Sequence, residues 1–251
     1  RRPPRSTLFP YTTLFRSVIR WLSAATIVSL IINTMQAVIF DIDGVLVDSE
    51  PVYMQRFLRF MQEHGVALDQ KAYRKTVGWS SQMTWEWALS HWPEEITVSQ
   101  LQAKYRAYWK GQPVRYDEVL DQDVLPVLNQ LHALKIKTAL ASSSPRAAID
   151  QMLKQCHLTD EFDAIVSGEQ FVKSKPDPQI YCHTAQMLHV PCSACLAVED
   201  STVGITAARA AGMFVLAKRD TRFNFDQSQA HAPISRLKEL LERVKTKEIT
   251  G

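Results

Sequence analysis

Four uninterrupted apolar residues, Ala37-Val38-Ile39-Phe40, run straight into Asp41-Ile42-Asp43-Gly44. An apolar run without polar alternation reads as a strand buried on both faces, the habit of parallel sheets sandwiched between helices. This one delivers two carboxylates to its own end. In open α/β sheets, ligands gather at the carboxyl ends of the strands. Two acids so close together are costly unless a cation sits between them or one keeps its proton. Gly44 then frees the backbone to turn sharply and approach a ligand. The combination points to a divalent metal, a carboxylate nucleophile and a proton shuttle. An isolated Asp-x-Asp is common, however, so its weight depends on the segments downstream of it.

Beyond this strand, the pattern alternates. Glu50 to His64 has apolar residues at helical spacing, with Gly65 as a stop. Residues 66–115 also read as helical, hold five of the chain's six tryptophans and carry no convincing strand signal. From residue 116 the expected order is helix 124–134, strand 137–141, a helix opened by Ser144 as N-cap with Pro145 at its first position, and strand 164–166. It continues with a helix from Asp177-Pro178 to about His189, strand 195–198, helix 201–211 ended by Gly212, strand 213–217 and a closing helix 233–244. Alternating strands and helices predict an α/β fold, a Rossmann-like parallel sheet with helices on both faces. The helical block at 50–115 interrupts this order just after the first strand, where a lid over the strand ends belongs. The expected division is a core of residues 35–49 and 116–251 with a small all-helical cap of residues 50–115.

The first 34 residues stand apart. Thr7 to Ser17, TLFPYTTLFRS, matches the translation of a sequencing adaptor. That marks residues 1–17 as an expected assembly artefact, residues 18–34 as upstream read-through, and Met35 as the expected start. The alternative is a signal anchor, with Arg16 and Arg20 before the uncharged stretch Trp21 to Ile32. That stretch is short of the ~20 residues a membrane span needs, and no Ala-x-Ala cleavage site comes after it. Charge obeys the same boundary. The chain's formal net charge is +3, but residues 1–34 carry five arginines and no acid. Taking those five from 29 basic residues leaves 24 against 26 acids, a net of −2. No basic stripe argues for nucleic acid, and no membrane association is expected beyond the leader. The four cysteines (156, 182, 192 and 195) include one Cys-x-x-Cys without a second pair or zinc-spaced histidines. Unpaired thiols suit a reducing, cytoplasmic compartment.

Three later segments could complete a site with the first. Ala139-Leu140-Ala141-Ser142-Ser143-Ser144-Pro145 is a strand, hydroxyls and a helix start. Hydroxyls and free N–H groups at a helix N-terminus hold phosphate well, although Ser144 could be a plain cap. Lys173-Ser174-Lys175-Pro176-Asp177-Pro178 sets a lysine before a helix, where a point charge can offset a phosphate and orient a carboxylate. Leu196-Ala197-Val198-Glu199-Asp200-Ser201 ends a buried strand in two acids. A hard cation such as Mg²⁺ takes oxygen ligands from separate chain segments, and Asp200 with Asp41 and Asp43 would supply them.

DIDGVLVDSE, ALASSSP, SKPDP and VEDSTVGITAARAAGM, in this order, resemble the haloacid dehalogenase-like superfamily over essentially all of residues 36–245. The helical insert resembles the branch with a small helical cap, which includes β-phosphoglucomutases and sugar-phosphate phosphatases. The resemblance implies a catalytic set of Asp41, Asp43, Ser142 and Lys175. Asp41 would be the nucleophile that becomes an aspartyl-phosphate. Asp43 would protonate the leaving alcohol and then deprotonate the attacking water. Ser142 and Lys175 would hold the transferring phosphoryl group, with Gly44 and Ser143 beside it. Mg²⁺ would be held by the Asp41 carboxylate, the Asp43 backbone carbonyl and Asp200, with Glu199 in support.

Departures from the resemblance narrow the chemistry. Dehalogenases of the superfamily lack the second Asp, because halide leaves without a proton. Phosphonate-cleaving members use a cap lysine that forms a Schiff base; Lys71 and Lys75 lie in the cap. β-Phosphoglucomutases carry a His where this chain has Tyr53, and a cap Arg where Gly78-Trp79-Ser80-Ser81 has Ser81. Losing a bidentate phosphate clamp argues against holding a bisphosphate. The expectation is a phosphatase of small phosphate monoesters, sugar phosphates above all, with a mutase as the alternative. Lys75, Gly78, Trp79, Ser80 and Ser81 are the candidate contacts to the leaving group. A non-catalytic phosphosugar-binding protein is the reading of another class, but such a module has no use for a nucleophile. The chain is expected to act as a monomer on a small phosphorylated metabolite.

Overall fold

In the computed structural model, residues 35–76, 81–223 and 225–244 are described. The leader, residues 77–80 (Gly78, Trp79 and Ser80 among them), Asn224 and the last seven residues lie outside them. Among the described residues, six strands form one sheet in the order β3-β2-β1-β4-β5-β6: β1 (Ala37–Phe40), β2 (Lys137–Ser142), β3 (Ala164–Ser167), β4 (Cys195–Glu199), β5 (Phe214–Lys218) and β6 (Ala232–Ile234). Every neighbouring pair is parallel. The fold is Rossmann-like α/β, as the alternation predicts.

Period-2 alternation divides the strands' side chains between two cores. Val38, Phe40, Leu140, Leu196 and Val198 pack on one face. There they meet α5 (Val124–Ala133) and α6 (Arg146–Gln155), which contribute Leu128, Leu131, Ile149 and Met152. The other face is built from Ala37, Ile39, Ala139, Ala141 and Ala197. Its small residues let α7 (Gln179–Met187) and α8 (Thr202–Ala210) lie close against the sheet, with Tyr181 and Ile205 fully buried there.

Register brings the catalytic candidates level. Phe40 pairs with Leu140 on one side and Val198 on the other. One residue further on come Asp41, Ala141 and Glu199, side by side at the carboxyl edge.

Between β1 and β2 the chain leaves the core through α1 (Glu50–Glu63), α2 (Gln70–Arg74), α3 (Ser81–Ser90) and α4 (Val98–Tyr108). These helices bury a separate core of their own, with Met54, Phe57, Phe60, Tyr73, Trp92 and Leu101 at its centre. Phe60 stacks on Trp92 at 5.4 Å between centroids. The outgoing and returning strands of this block run together: Asp48 N–H donates to the Val119 carbonyl at 2.8 Å, and Val47 bridges Leu120.

Two sequence expectations are corrected. The closing helix does not begin at Pro233. That residue lies in β6, and α9 spans only Glu239–Val244. β6 is the sheet's edge, where proline's missing N–H leaves no ladder position unfilled. Ser144 is not an N-cap either: Pro145 holds that position, α6 starts at Arg146, and no side chain caps it. The Ser144 hydroxyl turns to Asp43 instead. The Cys-x-x-Cys carries no disulfide, and the four cysteines are free. No described helix is long and apolar enough to cross a membrane.

Candidate active site

The sheet's carboxyl edge opens into a cavity of about 310 Å³ whose lining includes Asp41, Asp43, Ser142, Lys175 and Asp200. Four separate segments meet there, as the motif order requires.

Lys175 is the centre of charge. Its side chain is only 4% exposed, and Nζ donates to Asp41 Oδ1 at 2.7 Å, Glu199 Oε1 at 2.6 Å and the Ala141 carbonyl at 2.9 Å. Burial alone would depress the ammonium, but Asp41 and Glu199 outweigh it and hold Lys175 above its ordinary pKa. Tyr181, from α7, donates to Glu199 Oε1 at 2.6 Å, and Ser201 reaches Oε2 at 3.2 Å. Both oxygens of the fully buried Glu199 are thus engaged, so it acts as a brace beneath Lys175. The same Ser201 caps α8 by accepting from Gly204 N–H.

Asp41 and Asp200 show the opposite imbalance. Burial pushes the Asp41 carboxyl up to about 7; Lys175 pulls it down, while Glu199 and Asp43 push it further up. Burial also raises Asp200 well above the carboxylate range, reinforced by Glu199, Asp41 and Asp43. Oxygens of Asp41, Glu199 and Asp200 all lie within 4.8 Å of one another, in buried surroundings. One ammonium cannot neutralise this group. A hard divalent cation fits both the oxygen donors and the excess negative charge.

Gly44 makes the close approach possible. Its φ is +79°, and a Cβ there would stand 2.1 Å from Asp200 Oδ2. Gly204 is equally constrained from the other side, since its Cβ would fall 2.0 Å from the Glu199 carboxylate. Gly204→Ala must displace the brace under Lys175. The expected result is a loss of ~1–3 kcal/mol of stability, read as a lower urea midpoint at unchanged slope.

Asp43 stands apart from the acidic cluster. Ser49 Oγ donates to its Oδ1 at 2.5 Å and Ser144 Oγ to its Oδ2 at 2.9 Å. Two hydroxyls from opposite sides fix this carboxylate's orientation. In the sequence Ser144 reads only as a cap, and Ser49 carries no signal of its own, although it lies within the first motif. Ser142 is buried, and its Oγ accepts from Ser144 N–H at 3.0 Å. Ser143 is exposed at the cavity.

The lining continues past these residues: Glu50 closes the first motif, Tyr53 stands where β-phosphoglucomutases carry a His, and only the segment after β5 has no motif to announce it. Glu50 and Tyr53 come from α1, and Asp220, Phe223 and Phe225 from the segment after β5. Tyr53 OH lies 3.0 Å from Tyr116 OH. Burial, then Asp43 and Tyr116, raises the Tyr53 phenol far above its ordinary value. Of the helical-block candidates, Lys75 and Ser81 are exposed and do not line this cavity, while Gly78, Trp79 and Ser80 lie outside the described residues.

Comparison with known proteins agrees with this geometry. Residues 35–212 match the sequence family described as haloacid dehalogenase-like hydrolase. A phosphorylated carbohydrates phosphatase of Thermotoga maritima is 32% identical over 181 residues, covering 71% of this chain and 82% of the relative. A beta-phosphoglucomutase of Bacillus subtilis is 31% identical over 188 residues, covering 72% and 82%. The crystal structure of CbbY from Rhodobacter sphaeroides in complex with phosphate superimposes with a TM-score of 0.69 over 84% of this chain and 99% of that one, at 21% identity. That last likeness concerns the fold alone. The four segments converging on Lys175 and the match over residues 35–212 lead to one conclusion: this chain belongs to the haloacid dehalogenase-like hydrolases, as an enzyme of the phosphoric monoester hydrolase kind.

Proposed function

We propose that the chain is a Mg²⁺-dependent phosphatase of small phosphate monoesters, sugar phosphates first among them, working through a phosphorylated Asp41. The observation that carries this reading is the division of labour between two acids two residues apart. Asp41 has one oxygen engaged by Lys175, while Asp43 is held separately by Ser49 and Ser144.

In this reading, Asp41 attacks phosphorus and displaces the alcohol, which takes a proton from Asp43. Asp43, now ionised, accepts a proton from the water that hydrolyses the acyl phosphate and frees Asp41. The Lys175 ammonium and the Ser142 hydroxyl offset charge on the equatorial oxygens, the main demand of phosphoryl transfer. Mg²⁺, held by Asp41, Asp200 and the Asp43 carbonyl, would supply further charge neutralisation and let an anionic ester approach a buried carboxylate. Residues 50–115 serve as a cap, and residues 35–49 with 116–251 as the catalytic core.

Two residues favour hydrolysis over mutase chemistry. Tyr53, with its phenol pushed so far up and paired to Tyr116, is no proton carrier at neutral pH. Ser81 offers no cationic clamp for a second phosphate.

The test is release of inorganic phosphate from a panel of sugar phosphates, with Mg²⁺ or after exhaustive EDTA treatment. Release should fall at least ~100-fold without metal and return on adding Mg²⁺. Conversion of β-glucose 1-phosphate to glucose 6-phosphate, with a bisphosphate primer and without release, would establish the mutase instead.

A further inference from the structure

The cavity has a wall built mainly by a segment that none of the four motifs contains. After β5 the chain runs along the cavity mouth, and Asp220, Phe223 and Phe225 line it together with Glu50 and Tyr53. Phe223 is 9% exposed and Phe225 half-buried, with their rings 6.0 Å apart.

This segment is clasped at both ends. Arg222 forks onto Asp48, with its two terminal nitrogens 2.8 and 2.6 Å from the two carboxylate oxygens, and also donates to Asp220. Asp48 lies in the loop that carries Asp43 toward α1, so the clasp ties the wall to the catalytic loop. Those hydrogen bonds hold Asp220 below the ordinary carboxylate range despite its burial. At the other end, the Gln227 side-chain amide donates to the Asp200 carbonyl at 2.6 Å and the Lys218 carbonyl at 2.9 Å.

Charge on this side of the cavity is one-sided. Asp220 is held as a carboxylate, while burial pushes the Glu50 carboxyl up to about 7, and the only described cation lining the cavity is Lys175, committed to Asp41 and Glu199. Arg222 is engaged by two carboxylates, and Lys218 by Asp121 Oδ2 at 2.6 Å and the Val45 carbonyl at 2.7 Å. A second anionic group on the substrate would therefore meet the Asp220 carboxylate and no uncommitted cation among the described lining residues. A hydroxylated leaving group would find acceptors in Glu50 and Asp220, and an apolar ring face a surface in the two phenylalanines.

We propose that Asp220, Phe223 and Phe225 form the leaving-group wall, positioned by the Arg222 clasp, and that the wall selects uncharged polyhydroxylated leaving groups over carboxylated or doubly phosphorylated ones. The inference rests on the phosphatase reading and deepens it. Arg222 is a positioning residue, whereas the phenylalanines touch the substrate.

The experiment measures kcat and KM of the full chain with Mg²⁺ on three esters and one acyl phosphate: glucose 6-phosphate, 6-phosphogluconate and fructose 1,6-bisphosphate, and acetyl phosphate. Glucose 6-phosphate should exceed the two esters that bear a second anionic group in kcat/KM by at least ~10-fold. Phe225→Ala and Phe223→Ala should cut kcat/KM for glucose 6-phosphate ~10-fold more than for acetyl phosphate, whose leaving group is too small to need the wall. Arg222→Met should act mainly on the KM of the sugar ester, with partial recovery in Arg222→Lys. Equal or better use of 6-phosphogluconate, or equal losses on glucose 6-phosphate and acetyl phosphate in the phenylalanine variants, overturns this inference while leaving the phosphatase reading intact. No turnover of any ester overturns both.

Discussion

Asp41→Asn should abolish phosphate release, by at least ~10⁴-fold in kcat, while leaving the protein folded. Losses of that order accompany removal of a nucleophile whose partners work as a unit. The amide keeps the side chain's volume, and Lys175 keeps Glu199 at 2.6 Å as its counter-charge, so no ammonium is left orphaned. Replacing a carboxylate that burial already disfavours removes a desolvation cost as it removes an ion pair. Thermal melting by circular dichroism should therefore fall within a few degrees of the parent chain. Residual release above a tenth of the parent rate would mean that Asp41 is not the attacking group, and that water reaches phosphorus directly.

Lys175→Met should damage both stability and activity. The substitution leaves the Glu199 and Asp41 carboxylates buried without their ammonium, and breaking a buried pair from one side costs about 3–5 kcal/mol. That is a large share of a domain's total stability. The double variant Lys175→Met/Glu199→Gln separates the two effects. Removing the Glu199 charge should restore part of the urea midpoint, because Tyr181 and Ser201 still offer hydrogen bonds to the Gln amide while Asp41 stays without its ammonium. Activity should stay low in the double variant, because the phosphoryl oxygens have lost their cation. A double variant that recovers turnover would reduce Lys175 to a structural role.

The acids at the strand ends are legible because their signal is local. An apolar run, Asp-x-Asp and a glycine occupy eight consecutive positions, and Glu199-Asp200 repeats the logic after Cys195–Val198. Secondary structure is legible for the same reason wherever period and punctuation agree, as in α1, β2 and α8. It fails where one local signal outvotes the tertiary context. Pro233 reads as a helix start, but a parallel edge strand accepts it. Ser144 reads as a cap, because its actual partner, Asp43, is 101 residues away in the chain.

The residues that complete the site share that property of distance. Tyr181 reaches Glu199 only because α7 packs on an alanine-lined face of the sheet. Arg222 reaches Asp48 across 174 residues, beside the Phe223 and Phe225 that line the cavity. No spacing rule within a segment encodes such meetings, since they depend on strand order and register. Chain-local chemistry was enough to establish the α/β fold, the order of the four candidate site segments and the acids they carry. Only the folded sheet decides which side chains face one another, because hydrogen bonds and like-charge repulsion act over a few ångströms of space, however many residues lie between.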